Sequence, residues 1–372
     1  MRVLHVPTVP WELTEGIARS VYELASAQCD LDVMLAADRD PNAPSVFHAT
    51  RVVKGWAPTA MLRRDFARAV RELRPDVVHV HGGDVALALT WTPALRDVSI
   101  VASCYRTAAL PAGMPRRVRE LRETRSNVSP RRAIIARLGA NALGRLALRT
   151  GRIGALCTAD PAIVRQFDGG PVVQVQGAAR VTPRAARWND EPVVVFAGRP
   201  HVGRGIEDLV VAFRILRERM PRARLRLLLL PGPAAEAWKT QLAGEARIEV
   251  TTTPAALAEE FAAAQVGVFP FRWSATLVPA LTAAEAMAAG LPIVATAVDC
   301  LTPLMQDGVN GYLVAPNEPT ALGEAIGRVL EGPAAWQPLA EGARKTVEEN
   351  WSWEGAAAAA RDAYEIALRR KS

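Results

Sequence analysis

Two arginines stand where a strand-like segment gives way to a helix, at a spacing that suits phosphate binding. The apolar run 193–197 ends in Gly198 and Arg199. A short loop then leads to Arg204 and Gly205, where a helical pattern begins. A helix N-terminus offers N–H groups and a positive dipole end, and guanidinium groups bind phosphate oxygens in pairs. The segment therefore predicts a diphosphate site, unless both arginines are solvated loop residues.

A single carboxylate, Glu285, interrupts an apolar helical pattern over 277–289. Gly290 ends this pattern, as glycine at a helix C-terminus commonly does. The short apolar runs on either side of it, 266–271 and 293–296, predict buried parallel strands. Burying a charge on a packed helix costs free energy unless the charge is paired or takes part in a functional site. Glu285 is therefore either on the solvent face of the helix or part of a site.

The stretch 285–296, EAMAAGLPIVAT, resembles the EAMAxGxPVVA signature of glycosyltransferase family 4, the retaining sugar transferases of GT-B fold. In that family this Glu is the second carboxylate of an E-x7-E motif and holds the ribose hydroxyls of the sugar nucleotide. Leu277 stands where the first carboxylate is expected. Leucine offers a sugar hydroxyl no hydrogen bond, so the resemblance is closer in the nucleotide half of the site than in the sugar half.

The resemblance also implies roles for the two arginines. Family members carry GR followed by KG at the spacing of Arg199 and Arg204, and these residues hold the donor diphosphate. The donor-binding residues implied in this way are Gly16, Gly198, Arg199, Arg204, Leu281, Thr282 and Glu285. The expected mechanism is front-face, in which the donor's own phosphate takes the acceptor proton. Arginines and helix dipoles neutralise the leaving diphosphate, so no metal or other cofactor is expected.

Two histidines lie in the segment DVVHVH, which is similar to a DVVHxH strand of the same family. His79 and His81 are two residues apart, so they share one face of a predicted strand. This spacing permits a metal pair, but the sequence indicates no third ligand, and a pair of core histidines fits it as well. His81 is nearer the end of the strand. We therefore expect it, with Arg199, Arg204 and Tyr105, to take part in the transfer.

Two loops supply the remaining candidates. Tyr105 and Arg106 follow a strand-like run whose end in the family often bears a His near the donor sugar; here a Tyr could bond a sugar and an Arg a phosphate. The alternative is an ordinary surface loop. Gly16, near a helix start, would let backbone N–H groups approach a phosphate. Glu15 replaces the first Gly of the family's usual Gly-Gly pair, and we predict that Glu15 and Arg106 bind the acceptor.

The net charge of +7 belongs to one segment. Between Arg116 and Arg152 there are eleven arginines and two acids, whereas the rest of the chain is nearly neutral. The arginines alternate with aliphatic residues at helical spacing. This pattern fits a solvated helical face, a helix on an anionic membrane surface, or a site for an anionic acceptor. The segment contains no Lys and no aromatic residue, which argues against nucleic acid as a partner.

Strands and helices alternate along the chain, which predicts parallel sheets covered by helices on both faces. A polar stretch, 177–191, interrupts the alternation and marks a domain boundary. With the resemblance, this predicts a GT-B fold of two Rossmann-like doubly wound α/β domains that face a central cleft. The expected parts are an acceptor-binding domain (1–183), a donor-binding domain (184–352) and a helix that crosses back to the first domain (353–372).

Composition fits an ordinary globular protein in a reducing compartment. The chain has 372 residues, half of them hydrophobic, and its four cysteines are widely scattered. No run of ~18 apolar residues occurs, and MRVLHV enters a strand directly, so neither a membrane span nor a leader peptide is expected. We expect a cytoplasmic protein that could touch the inner membrane face. The alternatives are a nucleotide-sugar-binding protein without turnover and a module that binds membranes or polyanions.

Overall fold

The structure, a computed structural model, describes residues 1–8, 11–12, 16–38, 46–53, 61, 64–83, 87–88, 90–105, 142–167, 170–177, 179–180, 185–252, 257–273 and 280–371. Glu15, Arg106, Leu277 and most of the arginine-rich segment lie outside these ranges. The chain forms two compact units. The first comprises Met1–Gly177 together with Trp353–Ser372, and the second is Ala178–Ser352.

The first unit contains a seven-stranded parallel sheet with the order β3-β2-β1-β4-β5-β6-β7. Its strands are β1 (Arg2–Pro7), β2 (Asp32–Ala37), β3 (Ala49–Val52), β4 (Val77–Gly82), β5 (Ser99–Cys104), β6 (Ala155–Thr158) and β7 (Val172–Gln174). The central strands are rich in Val and other aliphatic residues because both of their faces are covered.

The second unit contains a six-stranded parallel sheet with the order β10-β9-β8-β11-β12-β13. Its strands are β8 (Val193–Gly198), β9 (Arg224–Leu229), β10 (Ile248–Thr251), β11 (Val266–Phe269), β12 (Ile293–Thr296) and β13 (Gly311–Val314). In both sheets the strand order reverses beside the first strand, β1 or β8. Ligands of doubly wound sheets bind at the carboxyl ends of the strands near such a reversal.

The helices whose bounds are described are α1 (Gly16–Ala27), α2 (Arg64–Leu73), α3 (Pro161–Gln166), α4 (Ile206–Arg219), α5 (Pro233–Gln241), α6 (Leu257–Ala262), α7 (Leu281–Ala288), α8 (Pro319–Val329), α9 (Pro333–Asn350) and α10 (Trp353–Lys371). Residues 142–149 are also helical. The prediction of doubly wound parallel sheets is confirmed. Within the described residues, no helix combines the length and apolar character that a membrane crossing needs.

Alternate residues of the central strands in the first unit face different partners. Leu4, Val78 and Ile100 join an apolar core that includes α2. The residues between them, among them His5 and His79, point to the opposite face, where α1 and α10 pack. The period of two that defines a strand therefore separates an apolar layer from a layer that contains histidines.

The last helix belongs to the first unit and lies close to its sheet. The buried side of α10 is mostly alanine, at Ala356, Ala360, Ala363 and Ala367. A Cβ on Gly154 would lie 2.5 Å from the Cα of Ala367, so only glycine fits opposite this helix. The alanine-rich sequence of α10 is thus the result of close packing between helix and sheet.

One helix boundary differs from the sequence-based expectation. The apolar spacing over 85–95 predicts a helix that ends at Leu95, but residues 90–92 form a turn and Pro93–Leu95 a short 3₁₀ turn. Thr92 has ψ 139°, the extended conformation that a following proline favours. The proline therefore ends the α-helical pattern several residues earlier than the apolar spacing suggests.

Candidate functional site

The turn after β8 carries Arg199 and Arg204 at the carboxyl edge of the second sheet. A 3₁₀ turn ends at Arg204, and His201 caps it, because its Nδ1 accepts a hydrogen bond from the Gly203 N–H at 3.0 Å. Gly205 then takes the left-handed conformation, with φ 65°, and α4 begins at the next residue. The two arginines therefore flank a tight turn that leads into a helix N-terminus, as the sequence predicts.

The loop after β11 packs against this turn through three consecutive residues. The Arg204 guanidinium lies over the Phe271 ring, with Cζ 4.4 Å from the ring centroid. The backbone N–H of Arg272 donates to the Gly203 carbonyl at 2.9 Å. Trp273 covers Gly203 so closely that a Cβ there would lie 2.6 Å from the indole ring. These contacts hold Arg204 at the edge where β8 and β11 are neighbours.

Arg272 also neutralises an acid at the start of α4. Its Nε and Nη2 donate to the Asp208 carboxylate at 2.8 and 2.7 Å, and Glu207 lies 3.5 Å from Nη2. The hydrogen bond to Asp208 raises the pKa of the Arg272 guanidinium. Because this pair offsets the carboxylate charge, the helix N-terminus remains favourable for an anion. Sequence reasoning missed Arg272, although a base directly after a buried strand was the available signal.

Glu285 lies on the least buried stripe of α7. Leu281, Thr282 and Glu285 are partly exposed, whereas the other residues from 283 to 288 are buried. The helix follows the loop after β11, so its N-terminus lies at the same sheet edge as the Arg204 turn. The structure therefore brings Gly198, Arg199, Arg204, Leu281, Thr282 and Glu285 to one edge of the second sheet.

The predicted residues of the first unit lie at the carboxyl edge of its own sheet. Thr8 joins the ends of β1 and β4, since its N–H and Oγ1 both donate to the His81 carbonyl, at 2.8 and 3.0 Å. Tyr105 directly follows β5, and its N–H donates to the Gly82 carbonyl at 3.0 Å. Gly16 is the first residue of α1. It belongs to the first unit, whereas the other predicted donor-binding residues belong to the second.

Three fully buried histidines form a cluster on the helix-covered face of the first sheet. His5 on β1 is the register partner of His79 on β4, and it supplies the third imidazole that the sequence pattern did not reveal. His5 Nδ1 lies 2.9 Å from His81 Nε2. The rings of His79 and His81 have centroids 3.9 Å apart. The HxH spacing therefore places both β4 histidines against one partner from β1.

The other ring nitrogens of the cluster bond to four polar side chains around it. The contacts are His5 Nε2 to Gln28 Oε1 at 3.1 Å, His81 Nδ1 to the Tyr105 hydroxyl at 3.0 Å, and His79 Nδ1 and Nε2 to the hydroxyls of Tyr364 and Ser103, both at 2.8 Å. Burial lowers the pKa of all three histidines, that of His5 to about 4. Burial also raises the pKa of both tyrosines. All five groups are therefore neutral at pH 7.

The cluster also has the spacing of a metal site. One nitrogen from each of His5, His79 and His81 lies within 4.8 Å of the others. However, all six ring nitrogens already have hydrogen-bond partners. The three ligands are neutral, and no carboxylate or thiolate among them would balance the charge of a buried dication. We therefore interpret the cluster as a hydrogen-bonded network.

Comparison with known proteins gives matches to glycosyltransferases. Residues 191–332 match the family described as glycosyl transferases group 1. A D-inositol 3-phosphate glycosyltransferase of Xylanimonas cellulosilytica is 34% identical over 192 residues, 49% of this chain and 44% of that protein. The chain thus covers less than half the length of this curated relative.

Similar solved structures cover almost the whole chain. Sucrose-phosphate synthase from Thermosynechococcus elongatus has a TM-score of 0.74 at 18% identity and covers 98% of both chains. Anabaena Alr3699/HepE in complex with UDP-glucose has a TM-score of 0.71 at 17% identity, again over 98% of both chains. With its two Rossmann-like sheets, the chain has the GT-B fold. Its second unit carries the match to the group 1 glycosyltransferases, over residues 191–332.

Proposed function

We propose that the chain transfers a sugar from a nucleotide-sugar donor to an acceptor hydroxyl with retention at the anomeric carbon. The observation that carries this proposal is the Arg204 turn. It combines two guanidiniums, a helix N-terminus and an acid neutralised by Arg272 at the edge of one sheet. The match of residues 191–332 to group 1 glycosyltransferases and the structural similarity to the UDP-glucose complex of HepE both support a nucleotide-sugar as the donor.

In this proposal the donor diphosphate binds Arg199, Arg204 and the N-terminus of α4. As the glycosidic bond breaks, these groups stabilise the charge that develops on the leaving diphosphate. A phosphate oxygen of the donor takes the proton of the acceptor hydroxyl on the same face of the sugar. No step needs a protein base, which agrees with a His81 that is buried and neutral. The second unit binds the donor. The first unit binds the acceptor through Glu15 and Arg106.

A panel of nucleotides tests the donor site directly. Thermal unfolding is followed with UDP, GDP, ADP and TDP and with their sugar conjugates, because a ligand that binds only the native state raises its stability by mass action. We expect one nucleotide base to raise the melting temperature more than the others. If no nucleotide raises it at millimolar concentration, the proposed donor site is wrong.

Glu285→Ala is expected to weaken binding of the selected nucleotide about 10- to 100-fold, since hydrogen bonds that ribose hydroxyls donate to a carboxylate are worth ~1.5–3 kcal/mol. Calorimetric titration measures the dissociation constant. Glu236→Ala is the matched control, because Glu236 is an exposed acid on another helix of the same unit. Equal affinities of Glu285→Ala and the native chain would place the ribose elsewhere.

A protein that binds the donor but has lost turnover is the main alternative, because Leu277 replaces a family carboxylate. Release of free nucleotide from the selected nucleotide-sugar separates the two functions. Steady release, with or without an acceptor, supports the transferase. Tight binding without any release over many hours supports the alternative.

A second candidate function, contact with an anionic membrane surface, is favoured by a patch on the first unit. Trp91, Leu143 and Leu146 are exposed by 41–47%, and the Trp91 indole N–H donates to the Leu143 carbonyl at 3.2 Å. Arg145 and Arg149 lie exposed on the same helical segment. The aromatic residue that the basic segment itself lacks is thus supplied by a neighbouring turn. Exposed Trp and Leu beside Arg suit the interface of an anionic bilayer.

Charge reversal tests the membrane contact. The double variant Arg145→Glu, Arg149→Glu is expected to bind phosphatidylglycerol vesicles at least ~30-fold more weakly in a co-sedimentation titration, because each Arg near such a surface contributes ~1 kcal/mol and the new acids are repelled. Phosphatidylcholine vesicles should bind neither protein. The control is Arg219→Glu, Arg222→Glu, which reverses two exposed charges on the second unit. Unchanged sedimentation of the first variant would remove this candidate.

A further inference from the structure

The hydrogen bonds around the histidine cluster run in one direction, and the Gln28 side chain sets that direction. Its Oε1 can only accept, so His5 donates to it from Nε2. A neutral His5 then accepts at Nδ1, and His81 donates to it from Nε2. His81 in turn accepts at Nδ1, so the Tyr105 hydroxyl donates to it. One side of the network therefore runs from Tyr105 through two imidazoles to Gln28.

The other side of the network runs from Gln28 to Ser103. Gln28 Nε2 donates to the Tyr364 hydroxyl at 2.9 Å. Tyr364 donates its own proton to His79 Nδ1, and His79 then donates from Nε2 to Ser103. The bonds thus form one continuous network of seven side chains, from Tyr105 to Ser103, in which each donates to the next.

This network decides how the half-buried Tyr105 hydroxyl can meet a ligand. Its proton points inward, to His81. What remains for a ligand is an acceptor position on the phenolic oxygen. A sugar or acceptor hydroxyl can donate to that oxygen, whereas a phosphate oxygen cannot.

We propose that Tyr364 is a positioning residue for the edge of β4 and β5: from α10 it fixes the tautomer of His79 and orients the Gln28 amide, which keeps the Tyr105 oxygen an acceptor for a substrate hydroxyl. Tyr364 is fully buried and joins the two sides of the network, since it accepts from Gln28 and donates to His79. The effect on turnover rests on the proposed sugar transfer. The assignment of the histidine tautomers does not rest on it.

The first arm of the test measures the tautomers without any substrate. In protein labelled with ¹⁵N-histidine, long-range imidazole spectra between pH 5 and 8 should show His5, His79 and His81 neutral with the proton on Nε2. The exposed His48 serves as the internal reference. Tyr364→Phe keeps the aromatic ring but removes its hydroxyl. It should shift the nitrogen resonances of His79 toward a mixture of tautomers. Tyr22→Phe, which lies outside the hydrogen-bond network, should not shift them.

The second arm measures turnover with UDP-glucose. Tyr364→Phe should lower kcat about tenfold and leave the donor KM unchanged, because a misplaced group slows the chemical step while the nucleotide binds in the second unit. Ser103→Ala removes the hydroxyl that accepts from His79 Nε2 in the same network. It should give a similar loss, and the double variant should lose little more than either single variant, as expected for residues of one network.

Two results would overturn the proposal. One is a folded Tyr364→Phe protein with native imidazole spectra. The other is independent, additive losses in Tyr364→Phe and Ser103→Ala. If the native chain releases no sugar from UDP-glucose or from any other nucleotide-sugar of the panel, the proposed function fails, and the imidazole spectra still decide whether Tyr364 fixes the tautomers. If Tyr364→Phe does not fold, Ser103→Ala provides the same comparison.

Discussion

Gly205→Ala is expected to destabilise the second unit by roughly 3 kcal/mol or more and to abolish nucleotide binding. Gly205 has φ 65°, which alone disfavours a side chain. In addition, a Cβ would lie 1.9 Å from the Pro270 carbonyl oxygen, and a backbone atom cannot rotate away. Relief requires that the start of α4 separate from the loop after β11. That separation would break the contact between Arg204 and Phe271.

Urea unfolding and the nucleotide-induced thermal shift measure the two parts of this expectation. Gly244→Ala is the matched control, because Gly244 also has a positive φ, 84°, but a Cβ there would meet no atom of the described residues within 4 Å. It should cost only ~1 kcal/mol and leave binding intact. A Gly205→Ala protein as stable as this control would show that the loop after β11 can yield without loss of the site.

Acidification from pH 7 to pH 5 is expected to lower the free energy of unfolding by at least about 2 kcal/mol. The folded pKa of His5 is lowered to about 4 by burial, from an ordinary value of 6.5. Between these values the unfolded chain binds a proton that the folded chain does not, so stability falls as the pH falls. The lowered pKa values of His79 and His81 act in the same direction. Above pH 7 the three histidines contribute no pH dependence.

Urea unfolding at pH 7.5, 6 and 5 measures this slope. His5→Gln cannot take up a proton and should show a smaller slope than the native chain. His48→Gln is the control, since it removes an exposed histidine outside the buried cluster. Equal stability of the native chain at pH 7.5 and pH 5 would mean that the buried histidines take up as many protons in the folded chain as in the unfolded chain.

The features that the sequence predicts well are those with a local signal. Short apolar runs predict the strands of both sheets, and Gly198, Arg199 and Arg204 predict the turn after β8 because neighbouring residues alone define it. The helix α9 is harder to recognise. Its buried Trp336 and Leu339 have helical spacing, but Pro338 lies inside the helix and interrupts the pattern.

The features that the sequence does not predict depend on residues far apart in the chain. Tyr364 and His79 are 285 positions apart, and only the folded unit brings them into contact. Arg272 and Asp208 are separated by 64 positions, so no local pattern indicates that one neutralises the other. The roles proposed for Glu15, Arg106 and Leu277 stay predictions, because these residues lie outside the described ranges.

The place of α10 in the first unit has a consequence for the order of folding. On the ribosome, β1 to β7 are synthesised first, but the helix that completes their unit follows only after all of Ala178–Ser352 has been made. Until then Gln28 and His79 lack Tyr364, and the sheet lacks the alanine face that covers it. The second unit is continuous in sequence and can finish folding before the first, which reverses the usual N-to-C order of domains during synthesis.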